Sequence, residues 1–451
     1  MKSPKERAHE PQPLSILKSA NDIPRLLAHT EGSLQYGPET PPYSTLPTMS
    51  DSTHPSADPR YRSGRYQTQL TGYRAFLPAP LPPDPPVRLE GEIQSLLSLA
   101  DRALGRLDGS IQTLPNPDLF VFMYVRKEAV LSSQIEGTQS SLQDLLAAEA
   151  RILSPDAPKD VDEVVNYVAA MNYGLDRLRQ LPVSIRLIRE IHKLLLHGVR
   201  GARLTPGELR TSQDWIGAGG CTLNEATFVP PPPHEVPTSL GALETFLHSE
   251  SDLPQLVQIG LAHAQFETIH PFLDGNGRIG RLLITFLLCQ REILLKPVLY
   301  LSHFFKEHRT EYYEHLQAIR DHGHWEQWLA FFLRGIASVS REATETARRI
   351  LALREDHRAA VTTQLGRAAG NGHRVLESLY LRPIVSVAQV QELTGTTFTA
   401  ANSLVSRLVK LGILQEATGY KRNRVFRYAP YIAIFGDNAP HASDETKGTT
   451  A

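Results

Sequence analysis

The stretch that decides the fold is residues 270–281, which read His-Pro-Phe-Leu-Asp-Gly-Asn-Gly-Arg-Ile-Gly-Arg. Its glycines let backbone N–H groups approach an anion closely, and a helix that begins at about Arg278 would direct the positive end of its dipole at the same point. Arg278 and Arg281 would then share one helix face. Asp274 is a hard oxygen ligand of the kind that Mg²⁺ prefers, and His270 can accept a proton near neutral pH. The stretch therefore predicts a site at which a Mg²⁺-bound polyphosphate meets a general base.

The same stretch contains the pattern G-x-G-x-x-G at Gly275, Gly277 and Gly280, which also occurs in dinucleotide-binding proteins. In those proteins the glycines follow an apolar strand. Here they follow a loop, and the apolar residues between 256 and 266 recur with helical spacing. A dinucleotide-binding fold is therefore the less favoured interpretation.

Residues 270–281 resemble, at every specified position, the signature HxFx(D/E)GN(G/K)RxxR of the Fic family, named from "filamentation induced by cAMP". The resemblance implies a mainly α-helical Fic-type core with a β-hairpin flap. It also implies a nucleotidyltransferase that moves AMP from ATP to a Ser, Thr or Tyr hydroxyl of a protein. In that reaction His270 would be the general base and Asp274 the ligand of Mg²⁺.

The resemblance further implies how the chain binds ATP. By motif position, Asn276 would contact the α-phosphate, Arg278 the β-phosphate and Arg281 the γ-phosphate. Glycine at position 277, where some relatives have lysine, favours AMP transfer over other phosphoryl chemistry. The implied ATP-binding residues are Gly275, Asn276, Gly277, Arg278, Arg281 and, on a later helix, Tyr313.

An earlier helical pattern ends in Ser132-Ser133-Gln134-Ile135-Glu136-Gly137, where the glycine is a plausible helix stop. Ser132, Glu136 and Gly137 resemble the (S/T)xxxE(G/N) motif of the inhibitory helix of Fic proteins. The resemblance implies that the Glu136 carboxylate forms a bidentate pair with Arg281. Such a pair would occupy the donors that should bind the γ-phosphate.

A glycine- and proline-rich insertion lies between residues 206 and 233. Two short β-prone runs within it predict a hairpin with a long tip. In its position before the signature it resembles the Fic flap, an edge against which a target segment is held as an added strand. The residues that would dock the target are Ile216, Thr227, Phe228 and Val229.

Composition and periodicity divide the chain into six regions. They are a disordered Pro/Ser-rich segment (1–86), a helical region with the inhibitory helix (87–159), the Fic catalytic core (160–345), a helical linker (346–371), a winged-helix domain (372–435) and a disordered tail (436–451). Met49 is a candidate for the true start. The winged helix is expected from two helices followed by strand-like runs around a basic turn, and binding to DNA, docking of a protein and a purely structural role all remain open.

The formal net charge of the 451-residue chain is -1, so any surface that binds nucleic acid or an anionic membrane must be local. Two cysteines, Cys221 and Cys289, are too few for a disulfide framework and indicate a reduced, cytoplasmic protein. No apolar run is long enough to suggest a membrane span.

The sequence thus predicts a Mg²⁺-dependent protein adenylyltransferase that is inhibited by its own Glu136. Two other functions remain open. One is removal of AMP from modified proteins at the same site, and the other is a winged-helix transcription regulator that uses the Fic core as a nucleotide sensor. The target protein and the oligomeric state, including a homodimer, are not defined by the sequence.

Overall fold

A computed structural model of the protein describes residues 61–112, 117–152, 157–419 and 423–436, all within one compact unit of residues 54–451. This part of the chain is mainly helical, as the sequence predicts. None of its helices is long and apolar enough to cross a membrane. Its two cysteines carry free thiols.

The helices of these ranges, in chain order, are α1 (Glu92–Gln112), α2 (Pro117–Ile135), α3 (Leu142–Glu149), α4 (Val161–Arg177), α5 (Ile185–Leu195), α6 (Val236–His248), α7 (Gln255–Ile269), α8 (Asn276–Gln290), α9 (Ser302–Glu307), α10 (Arg309–His322), α11 (Trp325–Leu365), α12 (Ala369–Leu379), α13 (Val387–Thr394), α14 (Phe398–Lys410) and α15 (Ala429–Ala433). The strands are β1 (Gly64–Thr68), β2 (Arg74–Pro78), β3 (Ile384–Ser386), β4 (Gln415–Glu416) and β5 (Val425–Arg427).

Helices α7 and α8 form the centre of the core. Every residue from Leu256 to Ile269 is buried, and α8 is buried along most of its length. A helix that is buried on all sides has to be surrounded by other helices. Helix α11 packs against α7, where Trp328 donates its indole N–H to the Gly260 carbonyl over 2.8 Å, and α4 packs against α8. The loop between α7 and α8 is therefore held at both ends by rigid elements.

Helix α11 is 41 residues long and runs through the expected boundary at residue 345 between the core and the linker. Its first half is packed against the core and against α1. Its second half contacts the C-terminal domain, where His357 shares a hydrogen bond of 2.7 Å with the Tyr428 hydroxyl. The linker is thus a continuation of a core helix.

The C-terminal domain consists of α12, β3, α13, α14, β4 and β5, in that order, followed by α15. Its three strands pair antiparallel in the order β3-β5-β4. Ser386 forms a capping box at the start of α13, and Gly395 ends the helix in a left-handed conformation, as the sequence predicts. The basic residues Lys421 and Arg422 of the expected turn lie outside the described residues.

The expectation that residues 1–86 are disordered does not hold for residues 61–86, because β1 and β2 form an antiparallel hairpin there. The hairpin is fixed by contacts with distant parts of the chain. Phe76 is fully buried, and Arg62 pairs with Glu326 and donates to the Gly323 carbonyl over 2.8 Å. The rest of that segment, with the candidate start at Met49, and the expected tail beyond Gly436 lie outside the described residues.

The close packing of α4 on α8 can be tested at Gly174. A Cβ atom at this position would lie 2.3 Å from the Phe286 ring, closer than such atoms approach in proteins. We expect Gly174→Ala to lower the free energy of unfolding by about 1–3 kcal/mol, as overpacking does. The matched control is Gly105→Ala in α1, where a Cβ would meet no atom within 4 Å. It should stabilise the protein by about 0.5–1 kcal/mol, because alanine favours a helix over glycine.

Urea unfolding followed by circular dichroism measures both variants. Midpoints that shift in the same direction would contradict this view of the α4–α8 contact.

Candidate functional site

His270 ends α7 in a left-handed backbone conformation, with φ 50° and ψ 62°. That conformation is uncommon for a residue other than glycine, so it has to be held by its surroundings. The His270 carbonyl accepts a hydrogen bond of 2.8 Å from Nε of the buried Arg210, and the Arg210 N–H donates to the Pro271 carbonyl over 2.9 Å. Arg210 also donates to the Pro231 carbonyl. This arginine therefore ties the expected base to both ends of the glycine- and proline-rich insertion.

The ring of His270 is neutral at physiological pH. Burial is the largest cause, and the charges of Arg320 and Arg210 add to it, so that the pKa of His270 falls to about 3. Its Nδ1 atom lies 3.4 Å from the Glu267 carbonyl, and its Nε2 atom lies 3.6 Å from Oδ2 of Asp214. A neutral imidazole has a lone pair with which to accept a proton, so His270 is in the form that a general base requires.

The loop from Phe272 to Gly275 is shaped by the Asn276 side chain. Its amide accepts from the Phe272 N–H over 2.9 Å and donates to the Phe272 carbonyl over 2.8 Å. Gly275 has a φ of 80°, and α8 begins at Asn276, two residues before the expected start. Because the Asn276 amide is buried and bound within the loop, the groups that the loop can offer to an anion are the first backbone N–H groups of α8.

His192 of α5 supports the same loop. Its ring stacks on Phe272 at a centroid distance of 3.8 Å, and burial lowers its pKa to about 4. The Gly207 N–H donates to Nδ1 over 2.8 Å, so the proton of the neutral ring is on Nε2, which lies 2.9 Å from the Asp274 carbonyl. Sequence reasoning missed both His192 and Arg210, because nothing in their local sequence separates them from other histidines and arginines.

Arg278 is almost completely buried, with 1% of its side chain exposed. Its Nη1 atom lies 3.1 Å from a carboxylate oxygen of Glu163, and its Nη2 atom lies 3.3 Å from Oδ1 of Asp274. The guanidinium that was expected at the β-phosphate is thus already paired with two carboxylates. In this arrangement it orients Asp274.

Asp274 itself is partly exposed and keeps one oxygen, Oδ2, that faces Gly201. Among the described residues, no group of three or more His, Cys, Asp or Glu side chains is close enough to hold a metal. A single available carboxylate fits Mg²⁺, which usually takes one or two carboxylates and completes its shell with phosphate oxygens and water.

Arg281 brings the predicted inhibitory residues to the glycine loop. Its Nε atom donates to the Ser132 hydroxyl over 2.8 Å, and its Nη2 atom donates to the Ser132 carbonyl over 3.0 Å and to Glu136 over 2.6 Å. Burial acts to raise the pKa of Glu136, but the charge of Arg281 and its hydrogen bond outweigh burial and lower it. The pair is a single contact through Nη2 and not the expected bidentate one, because Nε donates to Ser132 and not to the second Glu136 oxygen.

Gly277 provides the space for this pair. A Cβ atom at position 277 would lie 2.2 Å from Oε1 of Glu136 and 2.9 Å from Nη1 of Arg281. A side chain at position 277 would therefore displace the Glu136 carboxylate from its present place beside the loop.

The insertion forms a much smaller sheet than the sequence predicts. Only Ile216 and Phe228 pair within it, through N–H···O contacts of 2.8 and 3.0 Å, whereas the Val229 carbonyl accepts from the Phe76 N–H of β2 over 2.9 Å. Of the four residues expected to dock a target, Ile216 and Thr227 are exposed, but Phe228 and Val229 are buried. Because β2 pairs beside Phe228 and Val229, the opposite main-chain edge of the insertion, formed by residues 214–217, stays open.

Tyr313, the residue expected beside the adenine, is 40% exposed on α10. Its ring lies 5.1 Å from that of Tyr312 and 5.6 Å from the Arg309 guanidinium. Tyr312 is buried and shares a hydrogen bond of 2.8 Å with Nε2 of His263, so it belongs to the core. Burial raises the pKa of Tyr313, as does the charge of Glu136, while the charge of Arg281 acts against both.

Two family models match the chain. The model described as Fic/DOC family N-terminal matches residues 94–176, and the model of the Fic/DOC family matches residues 182–288. Helices α2, α4, α5, α7 and nearly all of α8 lie within these matches.

The chain is also similar to curated proteins. It is 30% identical over 183 residues to the protein adenylyltransferase Fic of Drosophila willistoni. The aligned region covers 40% of this chain and 32% of that protein. It is 30% identical over 181 residues to a probable protein adenylyltransferase of Aquifex aeolicus (strain VF5). That aligned region covers 39% of this chain and 51% of that protein. The chain thus spans about a third to a half of these relatives.

Among solved structures, the fold is similar to that of a Fic family protein from Desulfovibrio desulfuricans G20, with a TM-score of 0.51 and 20% sequence identity. The similarity covers 76% of this chain and 97% of that one.

The Glu136–Arg281 pair makes stability depend on pH in a defined direction. The pKa of Glu136 is lowered in the folded state. The contribution of its carboxylate to the free energy of unfolding is therefore complete above the pKa of an unfolded glutamate, and it is lost as the pH falls through the lower pKa of the folded state. We expect Glu136→Gln to cost roughly 2 kcal/mol at neutral pH and progressively less below about pH 4. Urea unfolding of both proteins across this range measures the difference. A constant difference at all pH values would contradict the ionic contribution.

Proposed function

This chain belongs to the Fic/DOC family through residues 94–176 and 182–288, and from that premise we propose that it is a Mg²⁺-dependent protein adenylyltransferase. It transfers AMP from ATP to a Ser, Thr or Tyr hydroxyl of a protein. The observation that carries the proposal is the neutral ring of His270, held between the exposed edge of the insertion and the N-terminal end of α8.

The reaction needs a base on one side and anion donors on the other. The target hydroxyl gives its proton to His270, and its oxygen forms a bond with the α-phosphorus while the bond between that phosphorus and the α–β bridging oxygen breaks. The leaving pyrophosphate takes the electron pair of that bond. The first N–H groups of α8 and the positive end of its dipole stabilise the charge that develops on the phosphate oxygens. Asp274 would hold Mg²⁺, which neutralises phosphate charge when it is bound.

Inhibition follows from the competition for Arg281. In the resting protein Nε and Nη2 of this guanidinium are bound to Ser132 and Glu136, so these donors are not available to a γ-phosphate. ATP can then bind only in a pose that is misaligned for in-line attack. Displacement of Glu136 would return one donor of Arg281 to the phosphate.

The target would add a strand to the open edge at residues 214–217. Trp215 and Ile216 are 40% and 38% exposed there, and both main-chain groups of Ile216 already pair inward with Phe228. In a strand, main-chain groups point alternately to the two edges, so those of the neighbours of Ile216 are the ones available to a target. The edge places the target segment beside His270, because Asp214 contacts its ring.

The C-terminal domain has the helix and strand order of a winged helix, and we propose that it docks proteins. Binding to DNA was one of the open alternatives, but Arg424 donates to the side-chain oxygen of Asn402 on α14 over 2.8 Å, so these two polar groups are bound to each other. Arg407 of the candidate recognition helix donates to the Gln364 carbonyl over 2.8 Å. The domain also contacts the region of the inhibitory motif, since the ring of Phe435 lies 5.3 Å from that of Tyr124 in α2.

Removing the base tests the chemistry. In a Glu136→Gly background we expect His270→Ala to reduce AMP transfer roughly 10²- to 10⁴-fold, because the proton acceptor is lost. ATP affinity measured by calorimetry should hardly change, because the phosphate-binding groups remain. The rate is measured with α-labelled ATP, and His234→Ala, which alters an exposed histidine, is the control. Transfer near the parent rate in His270→Ala would exclude His270 as the base.

Removing the inhibitory carboxylate tests regulation. Glu136→Gly should raise the rate of AMP transfer, including self-modification, about 10- to 100-fold. Each factor of ten corresponds to about 1.4 kcal/mol of activation free energy, gained because Glu136 no longer competes with the γ-phosphate for Arg281. Glu136→Asp, which is one methylene shorter, should activate only partially. The same variants are also incubated with AMP-modified protein, and the release of AMP from that protein is measured.

The two directions separate the alternatives. Loss of AMP release in Glu136→Gly, without a gain in transfer, would identify an AMP-removing enzyme in which the carboxylate orients water. Neither activity in any variant would favour a nucleotide sensor.

A further inference from the structure

Asp214 is a carboxyl group beside the expected base to which neither the sequence nor the family motif assigns a role. Its Oδ2 atom lies 3.6 Å from Nε2 of His270, and 24% of its side chain and 14% of that of His270 are exposed. It stands at the first position of the open edge, next to the exposed Trp215 and Ile216. A target hydroxyl that approaches His270 from this edge therefore has to pass Asp214.

The contacts of His270 indicate which of its nitrogens accepts the proton. Its Nδ1 atom faces the Glu267 carbonyl, which can only accept a hydrogen bond. The neutral ring is therefore expected to carry its proton on Nδ1 and its lone pair on Nε2, which is the nitrogen that faces Asp214.

The charged groups around His270 oppose its protonation as a set. Arg320 of α10 and Arg210 of the insertion are positive, and with burial they lower the pKa of the ring. Glu136 acts in the opposite direction, and Glu267 is a buried carboxyl whose own pKa burial raises to about 7. During AMP transfer, however, the His270 ring becomes an imidazolium, and it does so in a buried environment beside two arginines. A nearby negative charge would lower the free energy of that state.

We propose that Asp214 is a positioning residue whose carboxylate stabilises the imidazolium form of His270 when Nε2 takes the proton of the target hydroxyl. The inference rests on the proposed function. The O–H bond of the target breaks and an N–H bond forms at Nε2, while the hydroxyl oxygen bonds to the α-phosphorus and pyrophosphate leaves with the electron pair. At 3.6 Å, Asp214 is beyond hydrogen-bond reach of the resting ring, so its attraction acts mainly after the proton has moved.

The position of Asp214 is set by the insertion and by the N-terminal hairpin. Gln213 donates to the carbonyls of Asp214 and Pro230 over 2.9 and 3.0 Å, and it accepts from the Tyr73 hydroxyl over 3.1 Å. Burial raises the pKa of the Asp214 carboxyl, and Asp274 adds to this, while the Trp215 N–H and Arg210 act against it. The loop between β1 and β2 thus holds in place the residue that faces the base.

The test compares Asp214→Asn with Glu225→Gln, an exposed carboxyl near the tip of the same insertion, both in the Glu136→Gly background. We expect Asp214→Asn to lower kcat roughly 10- to 100-fold, as the loss of a partner of a reacting group does. KM for ATP should stay within about twofold, because no phosphate contact is changed. Asp214 has to be ionised to attract the imidazolium, and its raised pKa lies above that of His270, so its own protonation sets the acid limb of the kcat profile and this limb should move to lower pH in Asp214→Asn. Glu225→Gln should leave the rate and the profile unchanged.

An unchanged rate in Asp214→Asn, or a loss of rate without a shift of the acid limb, would overturn the inference. A second measurement does not depend on transfer. The proton NMR signal of the His270 ring, assigned by its absence in His270→Ala, is titrated in the full chain with and without Asp214→Asn. A shift of this signal as the pH falls through the pKa of Asp214, absent from Asp214→Asn, supports the inference, whereas the same pH dependence in both proteins contradicts it. If no variant transfers AMP, the proposed function fails and this titration still decides the role of Asp214.

Discussion

Arg281 places a positive charge where almost no water can reach it, since only 2% of its side chain is exposed. A buried charge without partners is costly, so the fold has to supply acceptors for this guanidinium. The acceptors for Nε and Nη2 come from the end of α2, as the hydroxyl and carbonyl of Ser132 and the carboxylate of Glu136. One guanidinium therefore attaches α2 to α8 and places Glu136 beside the glycine loop. Ser132 provides two of these contacts, so the attachment does not depend on Glu136 alone.

The sequence predicts best those features that depend on residues close together in the chain. The helical spacing of the apolar residues between 256 and 266 predicts the middle of α7, and the signature brings His270, Asp274 and Gly275 together at the start of α8. The pairing of Glu136 with Arg281, 145 residues away, was predicted only because a family resemblance supplied it. Local patterns carry the information on helices and turns but not on which of them meet.

The features that the sequence did not predict depend on contacts between distant residues. The hairpin of β1 and β2 is held by Glu326 and by the insertion, and its proline-rich surroundings indicated no more than a docking of residues 73–77 on the body of the protein. Arg278 was assigned to the β-phosphate by its position in the family motif, yet it is buried here and paired with Glu163 of α4. The insertion forms one bridge in place of two strands because β2 supplies the next main-chain partner. In each case a residue elsewhere in the fold replaced the partner that local reasoning assumed.

The missing side chain at position 277 has a consequence for how this site can change during evolution. The space that glycine leaves is the space that the Glu136 carboxylate fills, with an ideal Cβ only 2.2 Å from its oxygen. A larger residue at 277 would have to displace the carboxylate before it altered the handling of any nucleotide. A lineage that acquires lysine here would thus have to move the Glu136 carboxylate in the same step in which it gains a new charge beside the loop. A change at position 277 would act on the carboxylate and on the loop together, whereas a change at position 136 would act on the carboxylate alone.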